Sequence, residues 1–155
     1  MHQQNPINYL IRSFITKGIT GAVLLYFLIL GLISMGMNTM LAQAFLKLIV
    51  VIGIVMWGNA LLEKHFDDVK VFHRFFFGIG IGLTMSVVLT AFELVTLSIG
   101  ATPLAPAFFQ QLDIPRLLLS LSLSFELMGF SIIGALAALQ YFKKSRREIQ
   151  AAEAR

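Results

Sequence analysis

The chain has 155 residues and a formal net charge of +4; 57% of its residues are hydrophobic and 13% are charged. Soluble domains carry about 25% charged residues, so this composition is typical of a membrane protein. The absence of cysteine excludes disulfides and thiolate chemistry, and the basic residues flank apolar segments without forming the separate basic face that nucleic-acid binding requires.

Four apolar segments are long enough to cross a membrane, since a spanning helix needs roughly 20 such residues. We place them at about 18–37, 41–62, 75–99 and 117–142. The first segment is too long for the apolar core of a signal peptide, so we expect it to be retained. Residues 1–155 are therefore predicted to be one domain, an all-α integral membrane four-helix bundle.

Spans one and two are predicted to form an antiparallel hairpin, because only a short turn near Asn38–Leu41 separates them. Spans two and three are joined by a compact charged loop at 63–74. The loop at 100–116 is the long one, and its prolines break helix. There Asp113 is a plausible N-cap for span four, and residues 107–112 are expected to form an interfacial turn.

Small and polar residues of span three fall on one helical face, because they follow one another at steps of three and four. The face comprises Gly78, Gly82, Ser86, Thr90, Glu93 and Thr96. Small residues let membrane helices approach closely, and hydroxyl groups form hydrogen bonds across the contact. This pattern favours a helix–helix contact, and a hydrophilic path is the alternative.

Span four carries two candidate faces. Ser122, Glu126 and Gly129 share one, and the other holds Ser120, Ser124, Ser131 and Ala138. A helix with two such faces can pack within the bundle through one and bind a partner protein or a second copy through the other. The alternative is that both faces are internal.

Three charged residues lie within the apolar segments, namely Lys47, Glu93 and Glu126. Charges in hydrocarbon are costly, so such residues pair, face protein or serve a function. Lys47 and Glu93 each lie about 9 Å from the outer end of their span, which predicts an ion pair between them. Glu126 has no equally deep cation in this arrangement. It is expected to be a neutral acid, to pair with a neighbouring subunit or to bind an ion.

Basic residues predict the orientation, because Lys and Arg concentrate on the cytoplasmic side of membrane proteins. All of the 12 Lys and Arg residues except Lys47 and Arg116 fall in the N-terminal tail, the 63–74 loop or the C-terminal tail. Both termini are therefore expected in the cytoplasm. The C-terminal cluster of Lys143, Lys144, Arg146 and Arg147 is expected to anchor the chain at anionic lipid.

No motif of an enzyme is present, and we expect neither catalysis nor a cofactor. The histidines are His2, His65 and His73, all outside the spans, which argues against an intramembrane haem. A metal site from His65, Asp67, Asp68 and His73 is less favoured than a solvated loop.

The layout resembles the DUF4199 family of small four-span bacterial membrane proteins. The resemblance rests on the charged turn that leads into Phe75–Gly80, and on Phe130–Ala135 followed by Lys143 and Lys144. It implies a bacterial inner-membrane location and no activity, so it assigns no functional residues.

These patterns favour a non-catalytic interaction protein, an accessory or assembly subunit of a larger membrane complex. Its expected partners are membrane lipid and either other membrane subunits or a second copy. The alternative is a small dimeric transporter or channel for a proton or cation, using Glu126 and Glu93.

The orientation is testable with reporter fusions. Because the basic residues concentrate on one side, fusions after Arg155 and within 67–70 should both report cytoplasm. A fusion near Ala105 should report the opposite side. Different labelling of Arg155 and Asp68 would contradict the four-span arrangement.

Overall fold

The computed structural model describes residues 6–37, 39–65, 71–98 and 116–153. Four helices account for nearly all of these residues: α1 Pro6–Ser34, α2 Met40–His65, α3 Val71–Ser98 and α4 Arg116–Glu153. Each contains a segment long and apolar enough to cross a membrane. The prediction of an all-helical chain with four candidate spans is confirmed. The predicted N-cap Asp113, the turn at 107–112, and Asp67 and Asp68 lie outside the described residues.

Helices α1 and α3 begin earlier than the predicted spans. Helix α3 begins at Val71 and not at residue 75. Helix α1 starts at Pro6 and the candidate span at Asn8, about ten residues before the predicted start of the first span. Proline suits the first helical position because its missing N–H has no intrahelical partner there. Lys17 is accommodated within the helix because its ammonium lies 3.6 Å from the centre of the Trp57 ring.

The turn between α1 and α2 is set by local chemistry. Gly36 adopts a left-handed conformation, with φ of 72°, and the Met37 N–H donates to the Leu32 carbonyl at 2.9 Å. This pattern ends a helix at a glycine. Thr39 then caps α2, because its hydroxyl accepts the Ala42 N–H at 3.2 Å. The turn therefore begins a few residues before the predicted Asn38.

Side-chain contacts establish the relative directions of the helices. Tyr26 of α1 packs on Phe92 of α3 at 4.9 Å between ring centres, whereas near its start α1 meets Gly80 through Phe14. Helices α1 and α3 thus run parallel to each other. Helix α4 lies beside both α3 and α2, while α2 and α3 make the smallest of the major helix contacts. Around the molecule the order is α1, α3, α4, α2.

The interior is apolar over most of its length. Met85 and Leu89 of α3 are almost fully buried, as is Leu127 of α4. The other members of the core come from all four helices: Ala22, Leu25, Ile29, Val50, Val51, Ile54, Val55, Leu62, Phe77, Ile81 and Ala135. Large apolar side chains also cover much of the outside, as expected where lipid surrounds a protein.

Helices α3 and α4 approach closely where α3 carries glycine. A Cβ atom on Gly78 would lie 2.7 Å from the Ala135 Cβ, and one on Gly82 would collide with the Ser131 side chain. One turn beyond, the Ser86 hydroxyl donates to the Ser124 hydroxyl at 2.5 Å. The predicted face of Gly78, Gly82 and Ser86 therefore lies against α4, and Thr90 is half-buried in the next turn.

The close approach predicts unequal effects of glycine substitutions. Gly78→Ala should lower the free energy of unfolding by about 1–3 kcal/mol, because the new methyl group overlaps Ala135. Gly53→Ala is the matched control, since Gly53 is exposed and no atom lies within 4 Å of a Cβ built there. Unfolding in mixed detergent micelles measures both, and equal losses would contradict the contact.

Candidate functional site

The interior contains an ion pair between α2 and α4. The Lys47 ammonium donates to Glu126 Oε2 at 2.6 Å. The Lys47 side chain is 7% exposed and that of Glu126 is 28% exposed. A charge-assisted hydrogen bond of this length is strong, particularly where water is excluded. The two charges therefore hold α2 and α4 together within the membrane-spanning region.

The pairing corrects two predictions. Lys47 joins Glu126 and not Glu93, so Glu126 does have a cation. Depth alone could not choose between the two carboxylates, since the long lysine side chain tolerates a difference of one turn. The order of the helices selects Glu126 as the partner, because α2 packs extensively on α4 and makes little contact with α3.

Glu93 is close enough for Lys47 to act on it electrostatically. It is half-buried and lies on the α4-facing side of α3, in register with Gly82 and Ser86 on the helical wheel. Within the described ranges it makes no direct ion pair. The interior thus places one ammonium near two carboxylates, so neutrality of this group requires a proton on one carboxylate or a further cation.

Other polar groups share this half of the molecule. Gln43 is 1% exposed and precedes Lys47 by one helical turn on the same face of α2. The hydroxyl groups of Tyr26 and Thr96 form a hydrogen bond of 3.2 Å. Gln43 was not predicted as a buried polar residue, although its spacing of four residues from Lys47 indicates that both face the same helix.

One face of α4 points away from the other helices. Phe125 is 74% exposed, and Ser122, Gly129 and Ile133 are also exposed. No atom lies within 4 Å of a Cβ built on Gly129. Ser122 and Gly129 were predicted at a helix contact, but they lie outside the contacts among the four helices. The reason is that Ser124, Ser131 and Ala138 form the internal face.

Glu126 lies at the edge of this outward face. On the helical wheel it falls between the outward direction and the side of α4 that contacts α2. One carboxylate oxygen binds Lys47, and the other, Oε1, can accept from a further donor. A partly exposed carboxylate therefore adjoins a helix face that includes a hydroxyl group and a glycine.

Basic residues gather at the opposite end of the helices. Arg74 is 4% exposed, pairs with Glu63 and lies 4.8 Å from the centre of the Phe142 ring. His65 packs on Tyr9 at 5.1 Å between ring centres. Glu63 and Arg74 were predicted in a loop, and their pairing was overlooked because both belong to helices that extend beyond the apolar segments.

The basic cluster at Lys143, Lys144, Arg146 and Arg147 lies on the continuation of α4 beyond the candidate span, which ends at Phe142. The helix has 38 residues, which corresponds to about 57 Å. That length exceeds the roughly 30 Å of a bilayer's hydrocarbon core. In the described part of the chain, no group of three or more His, Cys, Asp or Glu residues could hold a metal ion.

The chain matches no family model, and comparisons with curated proteins and with solved structures also gave no match. The resemblance to the DUF4199 family stays a prediction. The class that the fold defines is a multi-pass membrane protein with four candidate spanning helices.

The ion pair predicts the outcome of charge exchange. Lys47→Glu and Glu126→Lys should each lower the free energy of unfolding, because each places like charges together within apolar surroundings. Combining them should recover about 1–2 kcal/mol, as for polar contacts in other membrane proteins. Denaturation in mixed micelles measures the coupling in a double-mutant cycle.

The matched control combines Lys47→Glu with Glu93→Lys. This combination should recover less stability, since Glu93 is not the direct partner of Lys47. Equal recovery in the two double variants would contradict the specific pairing with Glu126.

Proposed function

We propose that this protein is a non-catalytic interaction protein of the bacterial inner membrane, an accessory or assembly subunit of a larger membrane complex. The observation that carries the proposal is the outward face of α4. Lipid-facing helix surfaces usually present large apolar side chains, whereas contacts between membrane helices favour glycine and serine. Ser122 and Gly129 are exposed here beside a partly exposed ionised pair, which suits protein better than lipid.

The partial exposure of the ion pair supports this interpretation. An unsatisfied polar atom facing hydrocarbon costs several kcal/mol, and Glu126 is 28% exposed with only Oε2 bound to Lys47. A neighbouring protein that covers Oε1 and offers a donor would remove this cost. The described turn between α1 and α2 is short, so membrane helices provide most of the described surface for such a partner.

The basic end supports an orientation with both termini in the cytoplasm. The start of α1, the end of α2 and the start of α3 meet there, as the contacts of His65 with Tyr9 and of Arg74 with Glu63 demonstrate. The α4 extension begins at the same end, next to Phe142. Its basic residues would lie at the anionic cytoplasmic lipid surface, where each contributes about 1 kcal/mol to membrane attraction.

A second candidate function is a proton- or cation-coupled transporter that uses Glu126 and Glu93. The observation that favours it is the electrostatic proximity of Lys47 to both carboxylates. With two acids and one base, a mobile proton or cation could restore neutrality. The accessory-subunit proposal is preferred because Glu126 already has a direct structural partner.

Removal of both charges distinguishes the two functions. A double variant with Lys47→Gln and Glu126→Gln keeps polar groups on both helices and removes both charges of the direct pair, whereas either single variant would leave one of these two charges without its partner. The interaction proposal predicts that the double variant still assembles, because shape and hydrogen bonding are nearly preserved. The transporter alternative predicts that it folds but loses cation or proton flux in vesicles.

The measurements are the mass of the gently extracted protein and the flux in reconstituted vesicles. A second protein present in stoichiometric amount with both the parent chain and the double variant is the expected result. A chain that purifies without any other protein, and that conducts protons or cations unless both charges are removed, would overturn the accessory-subunit proposal.

A further inference from the structure

The outward face of α4 is complementary to itself. It carries two pairs of unlike residues at a spacing of four: Ser122 with Glu126, and Phe125 with Gly129. Ser122 supplies a hydroxyl donor, while Glu126 retains Oε1 as an acceptor. Phe125 projects an aromatic ring, whereas Gly129 leaves open space around its Cα. Each pair combines a group that protrudes or donates a hydrogen bond with a group that leaves space or accepts a hydrogen bond.

A spacing of four residues matches the contacts of parallel helices related by a two-fold axis. Copies inserted the same way into one membrane have parallel α4 helices when the axis is perpendicular to the membrane. In such a pair, a side chain fits between residues of the facing helix that lie one turn apart. Residue 125 of one copy thus meets residue 129 of the other, and residue 122 meets residue 126.

From this arrangement we infer that the face of α4 formed by Ser122, Phe125, Gly129 and Ile133 binds the same face of a second copy of this chain. The inference rests on the proposed function in that this face meets protein and not lipid, and it makes the larger complex one that contains this chain as a dimer. The Phe125 ring of each copy packs over the partner copy's glycine at position 129. The hydroxyl at position 122 donates to Glu126 Oε1 of the opposite copy, so each copy completes the other's ion pair.

Charge and shape both favour a second copy at this face. Each Lys47–Glu126 pair is neutral as a unit, so two copies can approach without strong repulsion, and a hydroxyl donor to a carboxylate forms a charge-assisted hydrogen bond. The outward faces of α1 and α3 also carry exposed large side chains, including Phe27 and Val87, whereas the α4 face lies beside the partly exposed carboxylate of the Lys47–Glu126 pair.

Cysteine crosslinking tests the interface directly, since the chain has no cysteine of its own. Ser122→Cys, Gly129→Cys and Ile133→Cys would each be oxidised in native membranes, and Phe125→Cys would be produced together with Gly129→Cys, since residues 125 and 129 of opposite copies are the ones that meet. A disulfide needs Cα atoms within about 7 Å, so these variants should form covalent dimers. Phe27→Cys and Val87→Cys are matched controls on exposed positions of α1 and α3, and they should form no covalent dimer.

A second measurement counts the copies in each particle by single-molecule photobleaching in vesicles. The parent chain should give two bleaching steps, and Gly129→Leu should weaken association by roughly tenfold or more, because its side chain occupies the space for Phe125. Gly53→Leu is the matched control: Gly53 is also exposed in a spanning helix with open space around it, and this variant should remain dimeric.

The outcomes separate this inference from the proposed function. Crosslinking confined to the α4 positions, with loss of dimers in Gly129→Leu alone, supports it. Crosslinks to a protein of different mass at those positions would overturn the second copy and leave the interaction function standing. Monomers without any crosslink at the α4 positions would overturn both this inference and the proposed function. Crosslinking at the control positions equal to that at the α4 positions would overturn the assignment of the interface to α4. Ser122→Cys, a nearly isosteric change, keeps the test valid if Gly129→Leu does not fold.

Discussion

The position of α4 governs the rest of the structure, and two different contacts fix it. On one side its backbone comes close to α3, where Gly78 and Gly82 have no side chain to separate the helices. On the other side the Lys47–Glu126 pair joins it to α2. In hydrocarbon the hydrophobic effect gives little drive for helices to associate, so close packing and polar contacts provide the attraction. Both kinds of contact meet on this one helix.

This double attachment determines which side of α4 is left outside. With Ser124 and Ser131 turned towards α3 and Gly134 packed on Ile52 and Val55 of α2, the remaining surface includes Ser122 and Gly129. The outward face is therefore a consequence of internal packing. It is also why Glu126 stays partly exposed, since reaching Lys47 keeps it at the boundary between the two surfaces.

The polar groups are separated along the molecule. Lys47, Glu93, Glu126 and Gln43 occupy one half, whereas Arg74 and Glu63 occupy the other end beside the basic residues that follow the spans. Between them most of the core is apolar, with Val51, Val55 and Ile81 fully buried, although Asn59 and Ser131 are fully buried there as well. The arrangement suits a protein that is stabilised by a few specific polar contacts and recognised through its surface.

The sequence by itself determined the number of spanning helices, because long uncharged segments have few stable alternatives in a bilayer. It also indicated the glycine and serine face of α3, since the period of the helix places residues three and four apart on one side. The identity of the partner of Lys47 was not available from the sequence. Similar depth left two carboxylates as candidates, and only the order of the helices selected Glu126.

The same limit applies to the two faces of α4. Periodicity separated Ser122 and Gly129 from Ser124 and Ser131, but it could not tell which set faces the neighbouring helices. The starts of α1 and α3 were also misplaced, because Lys17 and Arg74 are held by Trp57 and Glu63 from another helix. Helical period and hydropathy are properties of one segment, whereas neighbours, ion pairs and the exposed face depend on several helices packed together, and only the tertiary structure decides them.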